Sequence, residues 1–331
     1  MPLNAKEYIK SQVVVKLPIP TKKFSQQTII VTGSNTGMGL EAARYLVSLD
    51  ASKVILAVRD TAKGQAAVQS IEASTSRKGV AEVWELDLAK YASVEAFARR
   101  VIAELPRLDV VIANAGVFIW EWKMAEDNET DITVNVVSHM LLAMLLLPKM
   151  RQTAVESGKP AVFTFTGSFT HFMTEFPERK SDAIFRDLAD QTKYRRDDRY
   201  YVSKMIQLLI MREFANQLTK SEATKPGKVI TSAINPGFVA TTIMRHRGKL
   251  FQIGMVVLKA LLSRTPEEGG RTLVHGAEGR EETHGQYLDD CKVAKPSEFV
   301  LSEEGDKTQK QLWRELMAKL EKIHPGISGN L

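Results

Sequence analysis

The chain is expected to fold as α/β: a single doubly wound parallel sheet of about seven strands with helices on both faces. Three observations predict this. Strand and helix patterns alternate four times in succession between Thr28 and Gly116, which is the pattern of a parallel sheet covered on both sides. The first strand ends in a glycine-rich turn that runs straight into a helix. No linker rich in Gly, Pro or Ser divides the chain, so one continuous sheet accounts for it better than two units.

Residues 1–27 read as a lead-in, extended and laid over the surface because Pro18 and Pro20 interrupt it. Thr28–Thr32 is the first strand, followed by Gly33-Ser34-Asn35-Thr36-Gly37-Met38-Gly39 and a helix over Leu40–Leu49. Lys53–Val58 is the second strand, with a helix starting near Thr61. Ala81–Leu86 is the third; it ends in Asp87 and Leu88, before a helix over Ser93–Leu105. Asp109–Ala113 is the fourth and reaches Asn114-Ala115-Gly116. The helix over Asp131–Arg151 is apolar nearly all round from Met140 to Leu147, as a helix buried on two sides must be.

Ala161–Thr166 is the fifth strand, ending in Gly167-Ser168. A charged stretch, Thr174–Arg199, separates it from a helix over residues 200–218. Lys228–Ile234 is the sixth strand and ends in Asn235-Pro236-Gly237. An irregular, partly apolar segment, Phe238–Arg264, leads to a helix over Pro266–His275. Gly285–Leu288 is read as the last strand, and the tail carries a helix over Lys307–Lys322 stopped by Pro325. The expected organisation is a lead-in (1–27), a dinucleotide-binding catalytic domain (28–290) and a C-terminal extension with a helix (291–331). Residues 172–199 and 238–264 are expected to cover the cleft above the strand ends.

Composition narrows the function classes. The chain has 331 residues, 44% of them hydrophobic and 25% charged, which suits a large buried core. The net charge of +6 is spread among acids. The two short basic runs, Lys193–Arg196 and Arg245–Lys249, lack the interleaved aromatics of a single-strand binder and read as solvated loops, so no nucleic acid partner is expected. Cys291 is the only cysteine, which favours a reducing, cytoplasmic setting. With scattered His and no second Cys, no metal site is expected. Val13-Val14-Val15 is too short for a secretory apolar region. The apolar tract Leu250–Leu262 falls short of the ~20 residues a bilayer requires; it either touches a membrane surface or covers the cleft.

Chemistry enters with Tyr200 and Lys204. One helical turn apart, they share a face. An ammonium beside a phenol favours the phenolate and brings its pKa of about 10 toward the working range. The spacing also arises by chance in helices. The turn from Gly33 to Gly39 places backbone N–H groups and a helix N-terminus where a pyrophosphate sits, although its spacing is not the ordinary G-x-G-x-x-G.

Together, Thr32-Gly33-x-x-x-Gly37-x-Gly39, Asn114-Ala115-Gly116, Tyr200-x-x-x-Lys204 and Pro236-Gly237 resemble, in order and context, the motifs of the short-chain dehydrogenase/reductase family, whose fold is Rossmann-type. The likeness spans about Thr28 to Leu288. A narrower likeness, to retinol dehydrogenases and fungal ketoreductases of secondary metabolism, rests on Val54–Asp60 and Arg264-Thr265-Pro266-Glu267-Glu268-Gly269-Gly270.

The resemblance implies roles for matching residues. Gly33, Ser34, Asn35, Thr36, Gly37, Met38 and Gly39 would cradle the cofactor phosphates. Asp87, with Leu88, would hold the adenine, although a helix-start cap is an equal reading of Asp87 alone. Asn114, Ala115 and Gly116 would line the cofactor. Asn135 would hold a water for proton relay to Lys204; a buried Asn in an apolar helix needs partners in any case. Ser168 would bind the substrate carbonyl, with Thr166 as the rival hydroxyl. His171 lies near Ser168, but no nucleophile elbow surrounds that serine. Pro236, Gly237, Val239 and Thr241 would contact the nicotinamide side. Arg59, ending the second strand, would pair a 2′-phosphate and selects NADP(H), while Asp60 beside it favours ribose hydroxyls.

The implied reaction is interconversion of a ketone and a secondary alcohol, in the reducing direction, with Tyr200 as proton donor, Ser168 positioning the oxygen, and Lys204 and Asn135 completing the set. Phe238, Ile243, Met244, Phe251, Ile253 and Met255 point to a bulky apolar small-molecule substrate or simply to core. The competing class is a catalytically silent NADP(H)-binding redox sensor or scaffold. A homodimer through the helices at 131–151 and 200–218 and a monomer capped by the C-terminal extension are both open.

Overall fold

The computed structural model describes residues 5–241 and 262–331. Its strands are β1 (Thr28–Thr32), β2 (Lys53–Val58), β3 (Ala81–Glu85), β4 (Val110–Ala113), a small hairpin of β5 (Met124–Ala125) and β6 (Asn128–Glu129), β7 (Ala161–Thr166), β8 (Val229–Asn235), β9 (Gln286–Asp289) and β10 (Lys292–Ala294). The principal helices are α1 (Ala5–Val13), α2 (Gly37–Ser48), α3 (Thr61–Thr75), α4 (Tyr91–Glu104), α5 (Thr130–Ser157), α6 (Ile184–Leu188), α7 (Arg199–Ser221), α8 (Pro266–Ala277), α9 (Glu298–Leu301) and α10 (Glu303–Ile323).

Eight strands form one sheet in the order β10-β9-β8-β7-β4-β1-β2-β3. All neighbours are parallel except β10, which turns back antiparallel on β9. From β1 the chain first moves outward to β2 and β3, then returns to the other side of β1 to place β4. The reversal leaves a crevice beyond the carboxyl ends of β1 and β4, where ligands bind in open α/β sheets.

β1 is buried along its whole length, and so are β4, β7 and β8, which explains their unbroken apolar and Thr runs: both faces are covered. On one face lie α4, α5 and α7, with Val101, Leu141, Leu145, Ile206 and Leu209 in the core. On the other lie α2, α3 and α8, with Ala43, Leu46, Ile71 and Leu273. α5 is long and apolar enough to cross a membrane by length and composition, but its apolar stretch is wholly buried, which makes it a core helix here. It carries Pro148 in its interior and a π-helical turn at Thr133–Val137.

Three expectations need correction. The lead-in is not simply extended, because residues 5–13 are helical; a nine-residue helix is marginal by propensity and depends on tertiary contacts, which local sequence does not reveal. The charged stretch 174–199 carries short helical turns at Pro177–Lys180, α6 and Gln191–Lys193. The tail helix begins at Glu303, capped by the Ser302 side chain on the Gly305 N–H, four residues before the sequence pattern becomes periodic. The apolar tract 250–262, apart from Leu262, and residues Ile243, Met244, Phe251, Ile253 and Met255 lie outside the described residues.

Candidate active site

The crevice is built from four chain segments that follow strands and from the first turns of α7. Its lining includes Met38, Asn114, Gly116, Phe118, Thr166, Ser168, Phe169, Tyr200, Lys204 and the loop Pro236, Gly237, Phe238, Val239 and Thr241. Ten expected site residues therefore meet at one cleft: Met38, Asn114, Gly116, Ser168, Tyr200, Lys204, Pro236, Gly237, Val239 and Thr241. Residues 172–199, expected to cover it, contribute no lining side chain. That segment is held instead against α10: Glu315 accepts from the Ile184 and Phe185 N–H groups, and Gln311 donates to the Ser181 carbonyl.

At one wall the glycine turn is fastened to the end of β4. Asn114 Nδ2 donates to the Thr32 carbonyl at 2.9 Å and to that of Gly33 at 3.3 Å, and the Ala115 N–H donates to Thr32 Oγ1 at 2.9 Å. Ser34 is buried, with its hydroxyl bonded to the Val31 carbonyl, while Thr36 is exposed and Asn35 and Gly37 half-buried. A Cβ on Gly39 would lie 2.4 Å from Asn114 Nδ2 and 2.7 Å from the Gly33 carbonyl oxygen, so only glycine lets turn and helix approach this closely. Thr36 is the N-cap of α2 but makes no side-chain cap bond. By contrast α3 is capped by Asp60 and α8 by Thr265 in a capping box. The first-turn N–H groups of α2 thus remain open to an anion, and these residues fit a dinucleotide pyrophosphate.

Further out, Arg59 is exposed at the end of β2, whereas Asp60 is engaged in accepting from the Lys63 N–H and pairing with its ammonium. Asp87 is half-buried; its carboxylate accepts from the Ala89 N–H at 3.1 Å. Its expected alternative as a helix-start cap is not what forms, since Lys90 is the N-cap of α4. Leu88 is buried, and its carbonyl accepts from Ser138.

The opposite wall carries the acid–base candidates. Ser168 leaves β7 in extended conformation, and its hydroxyl accepts from the Thr170 N–H at 3.2 Å and hydroxyl at 3.0 Å. Thr166, the rival, lies two residues back, at the end of the strand, and its carbonyl accepts from Lys204 Nζ at 2.8 Å. Lys204 also donates to Gln207 Oε1 at 3.2 Å, and Gln207 Nε2 donates to the Asn135 carbonyl at 2.8 Å. Asn135 sits in the π-helical turn; its side chain holds Val117 by both N–H and carbonyl and donates to Ser203. A π turn breaks the usual carbonyl ladder, which frees the Asn135 carbonyl for Gln207. Asn135 and Lys204 are therefore joined through Gln207, a residue that sequence reading passed over as part of an apolar run, although it lies three residues from Lys204 on the same helical face.

Electrostatics at Tyr200 differ from expectation. Burial, then the charge of Asp131, push its phenol pKa upward, while the Ser168 hydroxyl pulls it down. Lys204 does not bring it down as anticipated: the ammonium is turned to Thr166 and Gln207, 5.9 Å from the ring centroid, and burial lowers its own pKa to about 8. Phe118 stacks on the Tyr200 ring at 4.4 Å and 13° and covers one face of it. Behind this pair lies a dry charged cluster that the sequence did not announce. Asp131 accepts from the Ile119 N–H at 3.0 Å. Glu129 accepts from the Asp131 N–H. Arg199, 1% exposed, stands 4.0 Å from Glu129 and 3.5 Å from Glu178. Burial raises the pKa of Glu129 to about 7 and that of Asp131 well above its usual value.

This fold and cleft place the chain among the dinucleotide-binding oxidoreductases, and the chain belongs to the short-chain dehydrogenase/reductase family. Residues 27–168 match the family model described as short chain dehydrogenase. The chain is 44% identical to the short chain dehydrogenase/reductase dmxR8 of Cryptosporiopsis sp., over 98% of this chain and 99% of that one. It is 45% identical to the short chain dehydrogenase atnD of Emericella nidulans, over 83% of this chain and 87% of the relative. Among solved structures, a short chain dehydrogenase of Shigella flexneri complexed with NADP superposes with a TM-score of 0.55 at 20% identity, covering 82% of this chain and all of that one. A 7α-hydroxysteroid dehydrogenase complexed with NADH and 7-oxo glycochenodeoxycholic acid gives 0.59 at 18% identity, covering 83% and 97%; both likenesses bear on the fold.

Proposed function

We propose that this oxidoreductase is an NADP(H)-dependent ketoreductase that converts a bulky apolar ketone to a secondary alcohol. The observation that carries the reading is the meeting of Ser168, Tyr200 and Lys204 in one cleft with Met38 of the glycine turn and with Asn114 and Gly116. When bound, the nicotinamide supplies the hydride. The Gly33–Gly39 turn and the open end of α2 hold the phosphates, Asp87 and Leu88 the adenine end, and Asn114–Gly116 with the Pro236–Thr241 loop the nicotinamide end. Arg59, exposed where Asp60 is already engaged as a cap, is the residue for a 2′-phosphate.

Tyr200, kept protonated by burial, gives its proton to the substrate oxygen. Ser168 fixes that oxygen by donating a hydrogen bond to it. Lys204, held by the Thr166 carbonyl and by Gln207, which is itself fixed on the Asn135 carbonyl, gives its ammonium proton back to the Tyr200 phenolate and recovers one from water. Met38, Phe118, Phe169, Phe238 and Val239 give the cleft an apolar lining, which supports a substrate of that character.

The test follows NADPH absorbance with a panel of bulky ketones. Wild type should consume NADPH, and Tyr200→Phe should lower kcat by about 100-fold or more while still binding NADPH. Tight NADPH binding with no turnover across the panel would turn the reading to a silent sensor.

A further inference from the structure

The loop Pro236–Thr241 does not hold its place by itself. Gln12 of α1 is 9% exposed, and its Oε1 accepts from the Phe238 N–H at 2.8 Å. Tyr8, one turn earlier on the same face of α1, packs its ring 4.5 Å from that of Phe169, the residue after Ser168. Arg264, 2% exposed, ties the arrangement together. Its guanidinium donates to the Pro236 carbonyl at 3.1 Å and to the Ser11 carbonyl at 3.1 Å, and it pairs with Asp290. Its backbone bonds both ways with the loop: the Arg264 N–H donates to the Phe238 carbonyl at 2.7 Å and the Ala240 N–H to the Arg264 carbonyl at 2.9 Å. Gly237, at φ +80, has no room for a Cβ, which would lie 2.6 Å from the guanidinium and 2.8 Å from Gln12 Oε1. Asn235 adds a second tie, accepting from both the Phe169 and Gly237 N–H groups at 3.1 Å.

We infer that α1 is a fixed support behind the substrate end of the cleft, with Gln12, Tyr8 and Arg264 as positioning residues that set the places of Phe238 and Phe169 and thereby the affinity for the ketone. This rests on the reading of the cleft given above. α1 lies outside residues 27–168, the stretch that matches the family model, although the alignment with dmxR8 takes in 98% of the chain. The positioning role also gives a task to Arg264, the first residue of the Arg-Thr-Pro-Glu-Glu-Gly-Gly motif. A loop N–H that loses its buried acceptor is free to shift, and a small misplacement of lining groups is enough to weaken a bound ligand.

The experiment uses the full chain with Gln12→Ala, and with Gln12→Glu, which keeps an acceptor for the Phe238 N–H. Two readouts are taken: KM and kcat for a ketone that wild type reduces, and hydrogen exchange of the amides in 236–241. The inference expects Gln12→Ala to raise KM at least about threefold with a smaller change in kcat, to speed exchange at Phe238, and to be rescued on both counts by Gln12→Glu. A role in stability alone would lower the melting temperature and leave KM within about twofold of wild type, and that result overturns the inference. If wild type reduces no ketone, the functional reading fails; unchanged exchange at Phe238 in Gln12→Ala then overturns the positioning role of α1 as well, and faster exchange retains it.

Discussion

Tyr200 sits in surroundings drier and more negative than its neighbour Lys204 led one to expect. The largest influence beyond burial is the charge of Asp131, whose own carboxyl is pushed up by burial and by the charge of Glu129. Two buried acids and Arg199 in one pocket cannot all be charged without cost, so the acids hold protons at pH values where exposed carboxylates have lost them. Glu129 therefore makes stability depend on pH. Its pKa, raised from 4.5 to about 7, means that the folded chain binds more protons than the unfolded chain across that window, and stability falls as pH rises through it. Glu129→Gln removes this titration, so the melting temperature of the variant minus that of wild type should climb between pH 5 and pH 8. Thermal melts of both proteins across that range check it, and a flat difference would remove Glu129 as the titrating group. Ser168, Tyr200 and Lys204 were legible from spacing and context. Gln207, Glu129 and Asp131 were not, because an ordinary polar residue gains its importance only when tertiary packing excludes water around it.

Among elements, the turn after β1 and the end of β2 carry the cofactor argument, and helix capping decides between them. α3 recruits Asp60 as its cap, which withdraws that carboxylate from ribose hydroxyls and leaves Arg59 at the rim. α2 has no side-chain cap and keeps its N–H groups for an anion. Arg59→Ala should therefore raise the NADPH dissociation constant by about tenfold, which is 1.4 kcal/mol, and change NADH binding by no more than about twofold. Equal losses measured by fluorescence titration would count against a 2′-phosphate contact. β1 to β4 and the helices between them were readable because burial on both faces imposes unbroken apolar runs. α1 and α6 were not, since helices this short form only where something packs on them.

Across the whole molecule, the two chain ends complete what the central sheet begins. α10 lies along α7: Leu312, Leu316 and Leu320 are fully buried, Trp313 stacks on Phe214 at 6.3 Å, and Gln309 Nε2 donates to Glu213 at 2.8 Å. Asn330 reaches the Met144 carbonyl on α5. The face of α7 considered as a dimer contact is thus covered from within the chain, and light scattering should read one chain of 36.9 kDa; a dimer mass would contradict this. Leu316→Ala should cost about 2–5 kcal/mol by opening a cavity under α10, read as a lowered denaturation midpoint.

By itself the sequence determined the doubly wound sheet, because burial on both faces imposes unbroken apolar strands; the glycine turn was marked by its place between strand and helix, and Ser168, Tyr200 and Lys204 became candidates through the resemblance to the family's motifs, since one helical turn between Tyr200 and Lys204 also arises by chance. Only the tertiary structure decided what surrounds that set. Gln207 between Lys204 and Asn135, the buried acids behind Tyr200 and the reach of α1 to the loop after β8 join residues far apart in the chain, and the dryness that gives them their force exists only once the chain has closed around them.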